Sequence, residues 1–531
     1  MSKKSITIKT SIAVIGFILA FILLKEDFVY FIRWWGLLFI TGFICLPLTS
    51  RLFHSFYDNG YLFSKVIGIA IGGYLMWLFA SLKILKFNIY SCLILFSLMI
   101  LFNFLLYKKW KLKKRILEKW NTYFTLELGF FIFLLIAVFI RGFKPEAYGT
   151  EKFMDYGFMT SMMNSQYMPP QDFWFAGNSL NYYYLGQFIA TFLSKLSVVP
   201  VSHGYNLMLM TLASLSFFLS FSLVFNISRK YFIDKRIDYK YSPYIAGILS
   251  GAGVSFAGNM HFTIFYWLVP IIQEILGIAS EKKYWFSDST RYIGYHPETG
   301  DKTIHEFPSY SFILGDLHAH VLNIIFVLTL MGILYAWLVN YKKIHWSNYK
   351  GKKPYYVFKE IIQPDTIMIG FFIGLFHMTN FWDFPIYFVV SGAVILFTLI
   401  RHYGFSKESL LITSINAIVV IVISELVALP FTRTFDQISS NILKTSNHTP
   451  IYQLIILWGL FFIIVIAFIT ELIQTYKMTR LLKENKTNKS FIVDFFRTIA
   501  LGDLFILILG LCAIGLVFIP ELIYVEDIYS G

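Results

Sequence analysis

The chain has 531 residues, 57% of them hydrophobic and only 14% charged, with a formal net charge of +14. That composition excludes a water-soluble fold of this size and places the chain in the bilayer class. The basic excess does not imply nucleic acid as a partner, because the lysines and arginines cluster in short loops between apolar runs, where the positive-inside rule accounts for them.

Residues Ile6 to Leu24 follow a Lys3-Lys4 start, and no small-residue cleavage pattern follows them, so this first apolar run reads as a retained membrane anchor. Runs of roughly 17–25 residues, enough to cross a hydrocarbon core of about 30 Å, recur along the chain. Most of the basic charge falls in four loops: Lys108 to Lys119, Arg229 to Lys240, Lys342 to Lys359 and Lys477 to Arg497. Setting these loops and the amino terminus on the cytoplasmic side predicts an all-α polytopic protein of the cell membrane with about thirteen crossings. The predicted spans lie near residues 7–24, 30–49, 62–83, 87–107, 122–140, 204–227, 242–260, 317–340, 364–379, 385–400, 408–428, 452–474 and 499–519. The stretches Tyr182 to Val198 and Phe262 to Leu276 do not cross, since counting either would turn basic loops outward. Gln187, Thr191, Ser194 and Lys195 in the first, and Gln273 and Glu274 in the second, suit helices lying in the interface. Residues 1–120 form an amino-terminal bundle, and 121–531 form a core whose outer loops are 142–203, 258–316 and 430–450, with a short turn from Asn380 to Pro385. Cys45, Cys92 and Cys512 sit in apolar runs and imply neither a disulfide nor a zinc site.

The chemistry-bearing residues collect in the outer loops. Glu151 and Asp155 are four apart and share one face of a short helix, either as a pair able to hold a divalent ion or act on a proton, or as acids in a solvated first turn. Pro169-Pro170 ends that helix. Trp174, Tyr182, Tyr183 and Tyr184 suit an interfacial belt or the lining of a substrate groove. In Gly315-Asp316-Leu317-His318-Ala319-His320, an extended backbone points Asp316, His318 and His320 the same way, whereas a helical one pairs Asp316 with His320. Either way, three ionisable groups stand beside the hydrocarbon core, where charge is costly unless paired or used, and they suit Mg or Mn or a proton transfer. Asn380, Trp382 and Asp383 occupy a tight turn, with Asp383 either a helix cap or a site residue. Lesser candidates are Asn259, His261, His305, Glu306 and His448. Arg433 either clamps a phosphate or snorkels. Elsewhere the ionisable residues fall at loop ends rather than inside spans.

Several phrases together resemble the uncharacterised membrane family named for its Tyr-Tyr-Tyr motif. They are Tyr57 to Tyr61, Met154-Asp155, Tyr167 to Pro170, Asp172 to Trp174, Asn181 to Gly186, Gly315 to His318 and Asn380 to Pro385. That family in turn looks related to the GT-C superfamily of multispanning glycosyltransferases, which use polyprenyl-phosphate sugars outside the cytoplasm. The resemblance implies a GT-C-like core over 121–531, with Glu151 and Asp155 in the place of the essential acid of the first outer loop. His318-Ala319-His320 departs from the family's His-Pro-His but keeps both imidazoles, and members usually run on past Gly531.

On this reading a sugar passes from a polyprenyl-phosphate donor to an acceptor on the extracytoplasmic face. Asp155 is the base, positioned by Glu151. Asp316, His318 and His320 hold a divalent ion or the donor phosphate, and Tyr182, Tyr183, Tyr184, Trp174, Asn181, Asn380, Trp382, Asp383 and Arg433 line the substrate. The rival readings are a proton-coupled lipid or solute transporter and a non-catalytic assembly protein. Membrane lipid is the expected surrounding in every case. No Walker, Rossmann, HExxH or GxSxG motif stands in a plausible setting, which removes support from ATP-driven transport and serine hydrolysis.

Overall fold

A computed structural model describes residues 3–279, 283–300, 302–344, 361–436, 441–482 and 491–526. Most of the Lys342 to Lys359 loop and part of the Lys477 to Arg497 loop lie outside the described residues. The chain is nearly all helix. Ten helical stretches among the described residues are long and apolar enough to cross a membrane.

The first of these, Ile6–Leu52, holds two expected spans. Helix α1 (Lys3–Leu24) and helix α2 (Phe28–Leu52) meet at a 3-10 turn, Lys25–Asp27, where Lys25 adopts φ +49°. Rings 18 residues apart, Phe17 and Trp35, lie 5.5 Å from one another, so the two helices fold back as a hairpin. A straight helix would separate them by about 27 Å.

The following helices are α3 (Tyr61–Ser81), α4 (Ile89–Lys109), α5 (Lys113–Arg141), α6 (Lys152–Asn164), α7 (Leu185–Ser197), α8 (Val201–Lys235), α9 (Ser242–Phe256), α10 (Val269–Ile275), α11 (Pro308–Leu314) and α12 (Ala319–Asn340). Then come α13 (Pro364–Thr379), α14 (Asp383–Tyr403), α15 (Lys407–Thr432), α16 (Ile451–Leu482), α17 (Phe491–Thr498) and α18 (Leu501–Phe518). Two expected spans are short. Helix α9 has 15 residues and α13 has 16, which gives about 22–24 Å of rise against a core of about 30 Å. That shortness, with the joined first pair, is where the expected thirteen crossings and the ten long helical stretches part. Helix α13 nonetheless returns the chain to the level of α12's first turns, because Thr379 Oγ1 donates to Asn323 Oδ1 at 2.8 Å.

The chain divides into two compact units, Met1–Ser255 with Phe312–Asp436, and Phe256–Ser311 with Gln437–Gly531. The boundary expected near residue 120 falls inside the first. Within that unit α3, α8 and α12 form the centre: 78% of each apolar window is buried, against 11–39% for the other long helices. Helix α7, expected to lie in the interface, is enclosed by protein. Eleven of its 13 residues are buried, and it packs on α3, α6, α8 and α12. Gly204 at the start of α8 makes this possible, since a Cβ there would stand 2.0 Å from Ser194 Oγ. Along α5, α8 and α12 the basic loops sit at one end, and the segments 142–151, 198–200 and 315–318 at the other.

In the second unit the π-helical turn Thr263–Leu268 and α10 form a short apolar helix none of whose residues is buried. Strands β1 (Ile442–Lys444) and β2 (Ile523–Val525) pair antiparallel, Leu443 opposite Tyr524.

Charge does lie inside the spans, contrary to the reading from sequence. Lys65 of α3 and Glu127 of α5 form a 2.7 Å ion pair with side chains 0% and 7% exposed. Tyr61 and Trp35 donate to the same carboxylate at 2.7 and 2.9 Å. Such a pair in hydrocarbon is tolerated because every oxygen is occupied.

Candidate functional site

Three distant segments of the first unit converge. Glu151 caps α6 and Asp155 lies in its first turn, fully buried. Gln187 of α7 donates to Asp155 Oδ1 at 2.7 Å. His318 Nδ1 stands 3.3 Å from Asp155 Oδ2 and 3.4 Å from Glu151 Oε2, and its Nε2 is 2.8 Å from the Tyr182 hydroxyl.

The backbone explains why Asp316 joins them. Gly315 takes φ +84°, turning the chain out of α11. A Cβ there would lie 2.4 Å from Arg141 Nη1. Tyr205 then clamps the turn, donating to Gly315 O at 3.1 Å and accepting from Leu317 N at 3.2 Å. Residues 316–318 belong to no helix, and α12 starts only at Ala319, with His318 extended at φ −71°, ψ 164° as its cap. The structure therefore mixes the two geometries expected from sequence. Asp316 and His318 project together, as alternate residues of an extended segment do, and His320 has already entered the helix. One ligand atom each of Asp155, Asp316 and His318 lie within 4.8 Å of one another. His320 is outside that group, its ring centroid 5.5 Å from that of His318.

Burial disfavours a charged His318, but the hydrogen bond and charge of Asp155, with Asp316 and Glu151, outweigh it and carry the imidazole up to about 9. Burial raises Asp155 as well, partly offset by the hydrogen bonds from His318 and Gln187. Both shifts favour keeping a proton between Asp155 and His318 at neutral pH. Tyr182 is raised by burial and by the Asp155 and Glu151 carboxylates, so it stays a neutral phenol.

The other expected residues separate. Tyr183 packs against Phe435 and Phe381. Tyr184 is buried and accepts from Trp77 Nε1 at 3.0 Å. Of the three tyrosines only Tyr182 reaches His318. Trp174 is exposed against Phe153 and Phe173. Asn181 holds the main chain of Asp436 through both amide atoms, at 2.9 and 3.0 Å. Asp383 heads α14, where Oδ2 accepts from Asn323 at 2.6 Å and Asn380 at 2.8 Å. Its carboxylate thus ties the Asn380 turn to α12, while Trp382 and Arg433 are exposed. Gln187, Tyr205, Arg141 and Asn323 carry the geometry although sequence reasoning gave them no role in the site. The one amide side chain of α7 was the available signal for Gln187.

A divalent cation fits the trio. Two carboxylates and an imidazole are a donor set used for Mg, Mn and Zn, and a 4.8 Å spread approaches the roughly 4.4 Å across a coordination sphere with bonds of about 2.2 Å. A cation on His318 Nδ1 replaces the proton there.

The family described as "Uncharacterized membrane protein (DUF2298)" matches residues 71–531. No curated protein and no solved structure matches the chain.

Proposed function

We propose that this chain, which belongs to the DUF2298 family of uncharacterised membrane proteins, transfers a sugar from a polyprenyl-phosphate donor to an acceptor. The observation that carries the reading is the junction of Glu151, Asp155, Tyr182, Asp316 and His318, drawn from three stretches of sequence onto one end of the helices. Structural pairing alone does not require a fully buried carboxylate to face an imidazole that opens onto two further acids. The resemblance to the Tyr-Tyr-Tyr family and through it to the GT-C enzymes supplies the reaction class. The basic loops at the far ends of α5, α8 and α12 support an extracytoplasmic site in a plasma-membrane protein.

In this reaction the bond from the sugar's anomeric carbon to the phosphate oxygen breaks, and the lipid phosphate leaves with the electron pair. The acceptor oxygen bonds to the carbon and gives its proton to a carboxylate. Asp155 is fully buried with both oxygens engaged by Gln187 and His318, whereas the Glu151 side chain is 64% exposed. Glu151 therefore takes the proton, and Asp155 orients and charges His318, the reverse of the roles expected from sequence. The imidazolium sets positive charge beside the leaving phosphate, where negative charge develops. A divalent ion held by Asp155, Asp316 and His318 would take the place of that proton and supply Lewis acidity there instead.

Purified protein in lipid, given a panel of polyprenyl-phosphate sugars with and without chelator, tests this reading. Donor consumption that stops on Asp155→Asn supports it. A protein that consumes no donor across the panel does not perform this reaction. The Lys65–Glu127 pair inside α3 and α5 favours a second reading, transport, since paired charge at membrane depth marks ion and proton routes. Substrate that crosses the bilayer with its bonds intact, and stops crossing on Lys65→Met, selects that alternative.

A further inference from the structure

The second unit holds a cavity of about 380 Å³ that the transfer reading does not use. It falls within the range of small-molecule sites, roughly 300–1,000 Å³. Gln453, near the start of α16, is 1% exposed and lines it. Its Nε2 donates to His296 O at 2.7 Å, while Oε1 is buried without a hydrogen-bond partner. Turning the amide over would set two oxygens against each other, so the free acceptor is fixed in place. A buried amide oxygen without a donor is costly, and a ligand hydroxyl relieves it.

The rest of the lining narrows the ligand. The lining has an apolar part, Trp458, Leu516 and Pro520 among it, and a polar part that includes Asn447, Thr303 and Glu521. Among the described lining residues there is no lysine or arginine, and burial pushes His305 down to about 4, leaving it neutral. The other lining imidazole, His448, stands 3.8 Å from the Glu521 carboxylate, so a phosphate or carboxylate meets an acid already in place. Glu521, whose Oε2 accepts from Thr449 N at 2.9 Å, adds a carboxylate to the lining. A pyranose ring has this same division, with C–H faces that pack on an indole and hydroxyls that bond to amides and carboxylates.

We propose that the cavity bounded by Gln453, Trp458 and Glu521 binds a neutral saccharide unit. This binding does not depend on the transferase reading and is measured with no lipid-phosphate donor present. The full chain in lipid nanodiscs is titrated with methyl glucoside, methyl mannoside, methyl galactoside and N-acetylglucosamine, and saturation transfer to the sugar ring protons is followed by NMR, with inorganic phosphate as competitor. At least one sugar is expected to bind, at least tenfold more weakly in Trp458→Ala and in the near-isosteric Gln453→Met, and not to be displaced by phosphate. Absence of transfer to all four sugars overturns the proposal. So does undiminished binding in a Gln453→Met protein that melts like the parent, or displacement by phosphate.

Discussion

Gln187 and His318 grip opposite oxygens of the Asp155 carboxylate, Gln187 at Oδ1 and His318 at Oδ2. The amide fixes the rotation of the acid, and the acid fixes the tautomer and charge of the imidazole. Asp155→Asn keeps the shape but removes the charge. We expect the His318 imidazole to fall from about 9 towards its ordinary value of about 6.5, read by NMR of labelled histidine. Sugar transfer should drop by about 10²-fold or more, with membrane insertion unchanged.

The raised His318 also sets a pH dependence. A group whose folded pKa lies above its unfolded one stabilises the fold fully below the unfolded value, about 6.5, and loses that contribution as pH rises through the folded one, about 9. The gap corresponds to roughly 3 kcal/mol. Thermal melts between pH 6 and 10 should therefore show stability falling across that window in the parent and a flatter profile in His318→Gln.

Metal binding runs the opposite way, because the cation needs the unprotonated ring. Affinity for Mn should rise with pH towards about 9 and release a proton on binding, both measurable by calorimetry in two buffers of different ionisation heat. Asp316→Asn should weaken binding by about 10-fold or more. Binding that is independent of pH and of Asp316 would remove this trio as the ion's seat.

How much of this was legible beforehand follows from particular residues. The apolar runs and basic loops are properties of composition, so the long helices stand where hydropathy puts them. The pairing of Glu151 and Asp155 near the Asp316 motif was readable because polar residues at membrane ends must have partners. Helix α7 was not, since its amide and hydroxyls look like an interfacial face but point into protein. The three tyrosines look equivalent in sequence and diverge because Tyr182 precedes α7 while Tyr184 sits at its cap. Lys65 and Glu127 are 62 residues apart, each a lone charge in a run that passes for a span; only the packing of α3 on its neighbours reveals the match.

That buried pair makes a separable prediction. Lys65→Met or Glu127→Leu alone leaves an uncompensated charge and should cost about 3–5 kcal/mol. The double variant should recover much of that loss, as seen in unfolding of detergent-solubilised protein. Equal or larger loss in the double variant would show that the pair contributes net stability.

Gly315→Ala tests the turn below the imidazole. Positive φ and the Arg141 guanidinium both oppose a side chain there. We expect a loss of about 1–3 kcal/mol and a displaced His318, seen as a drop in its pKa from about 9.

Because Asn181 is buttoned to the peptide groups of Asp436, the residue just before Tyr182 travels with the tail of α15. The Tyr182 phenol, 2.8 Å from His318 Nε2, is thus anchored one residue away from that tie.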